Sequence, residues 1–192
     1  MHMAKKQAKQ ALLEATIDLM GEKGFFGTGL SEVLNKSQAP KGSLYYYFPQ
    51  GKNQLIIEAL TLAGKQVEEA LEEILVAQKT LTTALEEVFH FFADQLEQSD
   101  FKKSCPIATV ASESASLDNE IRLACEQVYT AWQKKIEAFL TQNGFSDEAA
   151  RQQASFMLNL IEGNLLMSRV YKDTIHLKQG LAMLTNLLSP SN

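Results

Sequence analysis

The chain has 192 residues, 45% of them hydrophobic, so it can bury a full core without disulfides or metals. Four prolines and ten glycines are too few for a sandwich or barrel rich in tight turns, and residues of good helix propensity dominate, which predicts an all-α protein. The net charge of −5 is unevenly divided, because residues 1–52 carry seven lysines against four acids while the remainder is acidic. A basic segment joined to an acidic one suits a protein that touches phosphate with one end only.

The first fifty residues predict three short helices. Apolar residues recur at helical spacing over residues 4–22, and Gly24 can adopt the left-handed conformation that ends this helix. Thr28 is the predicted N-cap of a second helix. After a four-residue break, Pro40 suits the first turn of a third helix, Lys41 to Phe48.

Longer helices follow from Lys52 onward. The break at residues 143–146 supplies a glycine stop and a serine cap. The change in helix length predicts two domains, residues 1–51 and residues 52–192. Besides a short segment after Pro106, the predicted helices are residues 52–77, 81–98, 118–142, 147–171 and about 174–188.

The N-terminus of the third helix has the composition of a helix that enters the major groove of DNA. Such a helix needs small or polar residues where it meets base edges, and Lys41, Gly42 and Ser43 meet that need. Gly42 lets the backbone approach closely. Tyr45 and Tyr47 are predicted to present their hydroxyls to phosphate or base.

The remaining positions of the third helix are predicted to face the core. Leu44 points inward, and Tyr46 and Phe48 pack at least partly inside. An alternative is that the three tyrosines are ordinary surface packing. Burying all three rings on a two-turn helix is geometrically impossible, and residues 33–57 carry no acid, so an anionic partner is favoured.

These residues carry a family resemblance. The run from Thr28 to Leu55, with APKGSLYYYFP at residues 39–49 and Gly51-Lys52 after it, closely resembles the DNA-binding head of the Tet-repressor (TetR) family. Residues 105–108 (CPIA), with Glu113 nearby, resemble the body of the LmrA/YxaF-type subgroup. The resemblance implies a transcription regulator with a helix-turn-helix head on a larger helical body that binds a ligand and dimerises. The two cysteines, outside any C-x-x-C arrangement, fit a reducing cytosol and predict a cytoplasmic protein.

The resemblance also implies roles for individual residues of the head. Gln38 stands where the family usually has glycine, so it is expected to hold a left-handed conformation at a cost of about 1 kcal/mol. Tyr47 stands where histidine is common, which affects base preference. The implied DNA contacts are the phosphate-binding Thr28, Tyr45 and Lys52, and the base-facing Lys41, Gly42, Ser43 and Tyr47.

The last two helices are predicted to form a dimer interface. Apolar residues over 154–171 cover more than one face of that helix, so it needs cover on both sides. A helix fully buried within one chain is the alternative. The resemblance implies a homodimer through residues about 147–188, whose paired recognition helices about 34 Å apart would read a palindromic operator in double-stranded DNA.

The resemblance further implies an effector pocket inside the body. Binding there would release DNA, as expected of a repressor, although the sequence leaves activation open. The aromatic and methionine lining predicts a small, largely apolar effector, and ordinary core packing is the alternative for each residue. The candidate lining residues are Phe89, Phe92, Ile107, Val110, Tyr129, Trp132, Phe156, Asn159 and Met167.

Other functions have weaker support in the sequence. No glycine-rich phosphate loop or nucleophile elbow occurs, so we expect no enzyme activity and no cofactor. Glu86, His90 and Asp94 share a helix face at metal-ligand spacing, but a solvated stripe is the simpler interpretation. Cys105 is close to two lysines and leaves thiol sensing open. No apolar stretch approaches the length of a membrane span, so no membrane partner is expected.

Overall fold

The computed structural model describes residues 2–78 and 80–188, with side chains from residue 7 onward. This part of the chain is helical, which confirms the predicted all-α class. No helix within it is long and apolar enough to cross a bilayer. Its helices are α1 (His2–Gly27), α2 (Leu30–Ser37), α3 (Lys41–Tyr47), α4 (Lys52–Ala77), α5 (Leu81–Gln98), α6 (Pro106–Ser114), α7 (Asn119–Gln142), α8 (Asp147–Tyr171) and α9 (Ile175–Leu188).

Two compact units make up the structure. The N-terminal unit comprises Met1–Lys65 and Cys105–Val128, and the C-terminal unit comprises Gln66–Ser104 and Tyr129–Asn192. In the N-terminal unit α1 packs against α2, α3 and α6, and in the C-terminal unit α5, α8 and α9 pack on one another. The division into a domain of residues 1–51 and a domain of residues 52–192 stays a prediction.

Helix α1 is broken at Gly24. The backbone of Gly24 has φ 70° and ψ −164°, a combination open to glycine and not to other residues. The predicted helix end is therefore a kink, because a further helical turn follows it to Gly27.

Thr28 does not cap α2, so that prediction is wrong. The helix begins at Leu30, and Gly29 is its N-cap, with no side-chain cap hydrogen bond. Thr28 is 1% exposed, and its hydroxyl donates instead to the carbonyl of Gly24, 2.6 Å away. The hydroxyl thus closes the turn after the kink in α1.

Gln38 adopts the left-handed conformation expected from the sequence, with φ 53° and ψ 19° at the C-terminus of α2. Its side-chain amide donates to the carbonyl of Asn35 at 2.5 Å, which offsets part of the strain. We expect Gln38→Gly to raise the free energy of unfolding by about 0.5 to 1 kcal/mol, because glycine adopts this conformation without steric cost. Urea unfolding would measure the change. Asn35→Gly, in the exposed interior of α2, should instead lower it by about 0.3 to 0.5 kcal/mol.

Candidate functional site

Two buried side chains anchor α3. Leu44 and Phe48 are both 0% exposed, and their spacing of four residues puts them on one face of the helix. The amide of Phe48 donates to the carbonyl of Leu44 at 2.8 Å, so the last turn stays closed. The opposite face of α3 is therefore held toward solvent.

Gly42 and Tyr46 lie at the centre of that outward face. Successive residues are rotated by roughly 100° in an α-helix, so positions two before and two after Leu44 lie opposite it. Tyr46 is 66% exposed, which makes the prediction of inward packing wrong. A side chain added at Gly42 would meet no atom within 4 Å.

The other predicted residues of α3 flank this centre. Lys41 is exposed, and Tyr45 is 58% exposed. Ser43 is half-buried and its hydroxyl donates to the carbonyl of Pro40 at 2.6 Å, leaving its oxygen lone pairs as acceptors. Tyr47 is also half-buried, with its ring centroid 4.9 Å from that of Tyr46 in an edge-to-face contact.

The two remaining predicted DNA contacts are engaged within the N-terminal unit. Thr28 is buried with its hydroxyl bonded to the backbone, so it is left out of the contacts proposed below. Lys52 is half-buried, and its ammonium lies 4.4 Å from the ring centroid of Phe25. Burial lowers the pKa of Lys52 from its ordinary value of 10.5, and the nearby carboxylate of Glu113 offsets part of that shift.

The predicted effector-binding residues fall into three groups. Ile107 and Val110 are fully buried in the N-terminal unit. In the C-terminal unit, Phe89, Phe92 and Trp132 are buried and Tyr129 is half-buried. The third group lies on the surface and is described below.

A polar pair accompanies the buried aromatic residues of the C-terminal unit. The hydroxyl of Tyr129 donates to Oε1 of Glu162 at 3.0 Å. The ring of Tyr129 also meets that of Trp132 edge to face, with centroids 5.6 Å apart. The phenol of Tyr129 thus contacts both a carboxylate of α8 and an indole of α7.

Phe156, Asn159 and Met167 face away from that interior. All three are exposed, and spacings of three and eight residues put them on one face of α8. The buried face of the helix runs through other positions, such as Met157 and Ile161. These three residues are therefore on the wrong side of α8 to line a pocket inside one protomer.

Exposed apolar side chains lie on both α8 and α9, which pack against each other. Single exposed apolar residues are common on proteins, whereas a contiguous group usually marks an interaction site. These side chains, here together called the α8–α9 face, are Phe156, Leu166, Met167, Val170, Ile175, Met183 and Leu187, each at least 40% exposed.

The structure gives little support to metal or thiol chemistry. Glu86, His90 and Asp94 are each exposed, and no group of three metal-binding side chains forms within the described residues. Both cysteines are free thiols. Cys105 is half-buried and Cys125 is buried. Burial raises the pKa of the Cys125 thiol to about 11, which keeps it protonated and unreactive at neutral pH.

Family comparisons agree with both halves of the sequence. Residues 12–59 match the model for bacterial regulatory proteins of the tetR family. Residues 82–181 match the model for the C-terminal domain of LmrA/YxaF-like transcriptional regulators.

Individual relatives match along most of the chain. An uncharacterized HTH-type transcriptional regulator, YxaF of Bacillus subtilis (strain 168), is 32% identical over 86% of this chain and 87% of its own. LmrA, an HTH-type transcriptional regulator of the same organism, is 28% identical over 97% of this chain and 99% of its own. The HTH-type transcriptional repressor DhaR of Mycobacterium sp. (strain GP1) is 23% identical over 98% of this chain and 96% of its own.

Solved structures share the fold. Regulatory protein TetR from Rhodobacter sphaeroides superimposes with a TM-score of 0.86 over 93% of this chain and 97% of that one, at 19% identity. A TetR transcriptional regulator from Legionella pneumophila gives a TM-score of 0.85 over 93% of this chain and 96% of that one, also at 19% identity.

Proposed function

The chain belongs to the TetR family of bacterial transcriptional regulators, and we propose that it is a cytoplasmic, dimeric repressor that binds a palindromic operator and leaves it when a small effector binds. The observation that carries the DNA-binding proposal is the outward face of α3. Two fully buried anchors, Leu44 and Phe48, hold that face rigidly toward solvent. A rigid element of this kind is what sequence-specific binding requires.

The DNA contacts proposed for α3 follow from its two exposed tyrosines and its open N-terminus. Gly42 allows the helix backbone to approach the floor of the major groove, and Tyr46 beside it reaches base edges or a phosphate with its hydroxyl. Lys41 and Tyr45 flank this centre and contact the phosphate backbone. Ser43 and Tyr47, both half-buried at the edges of the outward face, are proposed to contact bases there.

Lys52 is proposed to contribute a positive charge at the start of α4. Its ammonium lies over the Phe25 ring, so it acts on a neighbouring phosphate through its field as much as by a direct contact. The excess of lysine in residues 1–52 supports the same polarity.

Dimerisation is proposed through the α8–α9 face. A face with seven apolar side chains at least 40% exposed needs cover in water, and a second copy provides an identical, self-complementary face. A two-fold dimer would present two α3 helices to the DNA and read a palindromic operator with half-sites about 34 Å apart.

The effector is proposed to bind among the buried aromatic residues of the C-terminal unit. Phe89, Phe92, Tyr129 and Trp132 offer an apolar lining, and Glu162 with the Tyr129 hydroxyl offers a polar contact. The effector is thus largely apolar with one polar group. Repression is supported by the relative whose name describes it as a repressor, DhaR.

Selection of bound sequences from a random duplex DNA pool at moderate salt tests the proposed function. The wild-type chain should enrich a palindrome with half-sites one helical turn apart. Enrichment of no sequence, with only weak salt-sensitive binding, would contradict the proposal.

Tyr46→Ala should bind the selected operator about tenfold more weakly, since one hydrogen bond and one aromatic contact at the DNA surface are lost. Fluorescence anisotropy would measure the affinity. Leu117→Ala, which truncates an apolar side chain 70% exposed in the same unit, is the control and should leave the affinity unchanged. Equal affinities for wild type and Tyr46→Ala would remove Tyr46 from the proposed contacts.

A further inference from the structure

The kink in α1 is bonded by a carboxylate from a distant part of the chain. Glu113 lies on α6, and its Oε2 accepts a hydrogen bond from the backbone amide of Phe26 at 3.0 Å. The carboxylate also fills the space beside Gly24, where a side chain would overlap it. A break in a helix leaves amides without their regular acceptors, and Glu113 provides one of the replacements.

The same carboxylate acts on the start of α4. Lys52 begins that helix, and attraction to Glu113 opposes the lowering of its pKa by burial. The ammonium of Lys52 covers the ring of Phe25, next to the amide that Glu113 accepts from. In the next position of α4, the side-chain amide of Asn53 donates to Asp118 at 2.5 Å, which ties the same turn to the segment after α6.

The two residues on which Glu113 acts flank the proposed DNA-binding segment, α2 and α3, in the sequence. Phe26 precedes α2, and Lys52 follows α3. Together with the packing of α2 and α3 on α1, the directions in which the chain leaves α1 and enters α4 constrain the orientation of these two helices. One side chain of α6 therefore bonds to the backbone at the start of this segment and attracts the charge at its end.

We propose that Glu113 is a positioning residue for DNA binding, which holds α2 and α3 in the orientation that fits the operator. This inference rests on the proposed function and adds a residue that does not touch DNA. The carboxylate acts through its hydrogen bond to Phe26 first and through its attraction to Lys52 second.

Three variants distinguish this role from general support of the fold. Glu113→Ala removes the hydrogen bond and the charge, whereas Glu113→Gln keeps an acceptor oxygen for Phe26 and removes the charge only. Thr109→Val is the matched control. Thr109 lies on the same face of α6 as Glu113, one turn earlier, and its hydroxyl donates to the carbonyl of Met20, before the kink, at 2.8 Å.

The measurements are operator affinity by anisotropy, the midpoint of thermal unfolding, and hydrogen exchange of the amides in residues 24–54. We expect Glu113→Ala to weaken operator binding on the order of tenfold and to speed exchange at Phe26 and through α2 and α3. Glu113→Gln should weaken binding by about threefold or less. Thr109→Val should lower the unfolding midpoint to a similar extent as Glu113→Ala but leave affinity within about twofold.

Two results would overturn the inference. One is an equal loss of affinity in Glu113→Ala and Thr109→Val for an equal loss of stability, which would make Glu113 an ordinary packing contact. The other is unchanged exchange in α2 and α3 in Glu113→Ala. Failure of the proposed function appears separately, as the absence of operator binding by the wild-type chain, and in that case the exchange measurement alone decides whether Glu113 orders this segment.

Discussion

Leu166→Glu is expected to convert the protein into a folded monomer that binds the operator at least about 100-fold more weakly. Leu166 is 59% exposed in the protomer, so a glutamate there costs the isolated fold little. In a two-fold dimer interface, two such carboxylates, one from each protomer, would be buried without a partner. The cost of burying these charges opposes association. A monomer reads one half-site and loses the gain of about 10² to 10⁴ that two linked contacts provide.

Val76→Glu is the matched control for this prediction. Val76 is 80% exposed, belongs to the C-terminal unit, and lies outside the α8–α9 face. The variant introduces the same charge in place of an exposed aliphatic side chain. Light scattering coupled to size-exclusion chromatography should find a dimer for Val76→Glu and a monomer for Leu166→Glu. A dimer in both, with unchanged operator affinity, would place the interface on another surface.

The long helices could be predicted from the sequence because their ends are set by neighbouring residues. Helix α5 begins after Thr80, whose side chain accepts a hydrogen bond from the amide of Thr83 at 3.2 Å. Helix α8 begins after Ser146, which accepts from the amide of Ala149 at 3.3 Å. Gly144, with φ 93°, ends α7 as expected. Caps and stops of this kind act within four residues, so no tertiary information is needed.

The errors in the N-terminal unit have tertiary and geometric causes. Thr28 fits the pattern of an N-cap, but the kink before it brings the carbonyl of Gly24 within reach of its hydroxyl. That kink involves Glu113, 87 residues further along than Phe26, and no local pattern contains this contact. Tyr46 is different, because its exposure follows from Leu44 alone once the helix rotation is applied.

The two faces of α8 show where periodicity stops being informative. Apolar side chains lie all round this helix, so the pattern predicts cover on both sides without saying which side faces the interior of the protomer. Phe156 and Met167 are apolar and yet lie on the outer face, while Ala154 and Met157 are buried. Packing within the C-terminal unit, including that against α5 and α9, separates these sets. The assignment of effector-binding residues on α8 needed that information.

Gly24→Ala is expected to lower the free energy of unfolding by about 2 to 4 kcal/mol. At φ 70° and ψ −164° an alanine is strained by about 1 to 3 kcal/mol. Its Cβ would also overlap the carboxylate of Glu113, and moving that carboxylate away breaks the hydrogen bond to Phe26, at a further cost of about 1 kcal/mol. Urea unfolding monitored by circular dichroism would measure the loss.

Gly51→Ala separates the two contributions to that loss. Gly51 belongs to the same unit and has φ 80°, but a side chain there would meet nothing within 4 Å, so only the backbone strain of about 1 kcal/mol applies. A double variant, Gly24→Ala with Glu113→Ala, removes the overlap and leaves the strain. Because the two residues share one contact, it should lose less stability than the sum of the single variants. Strict additivity would mean that Glu113 and Gly24 do not interact, and the kink would then be a property of the glycine alone.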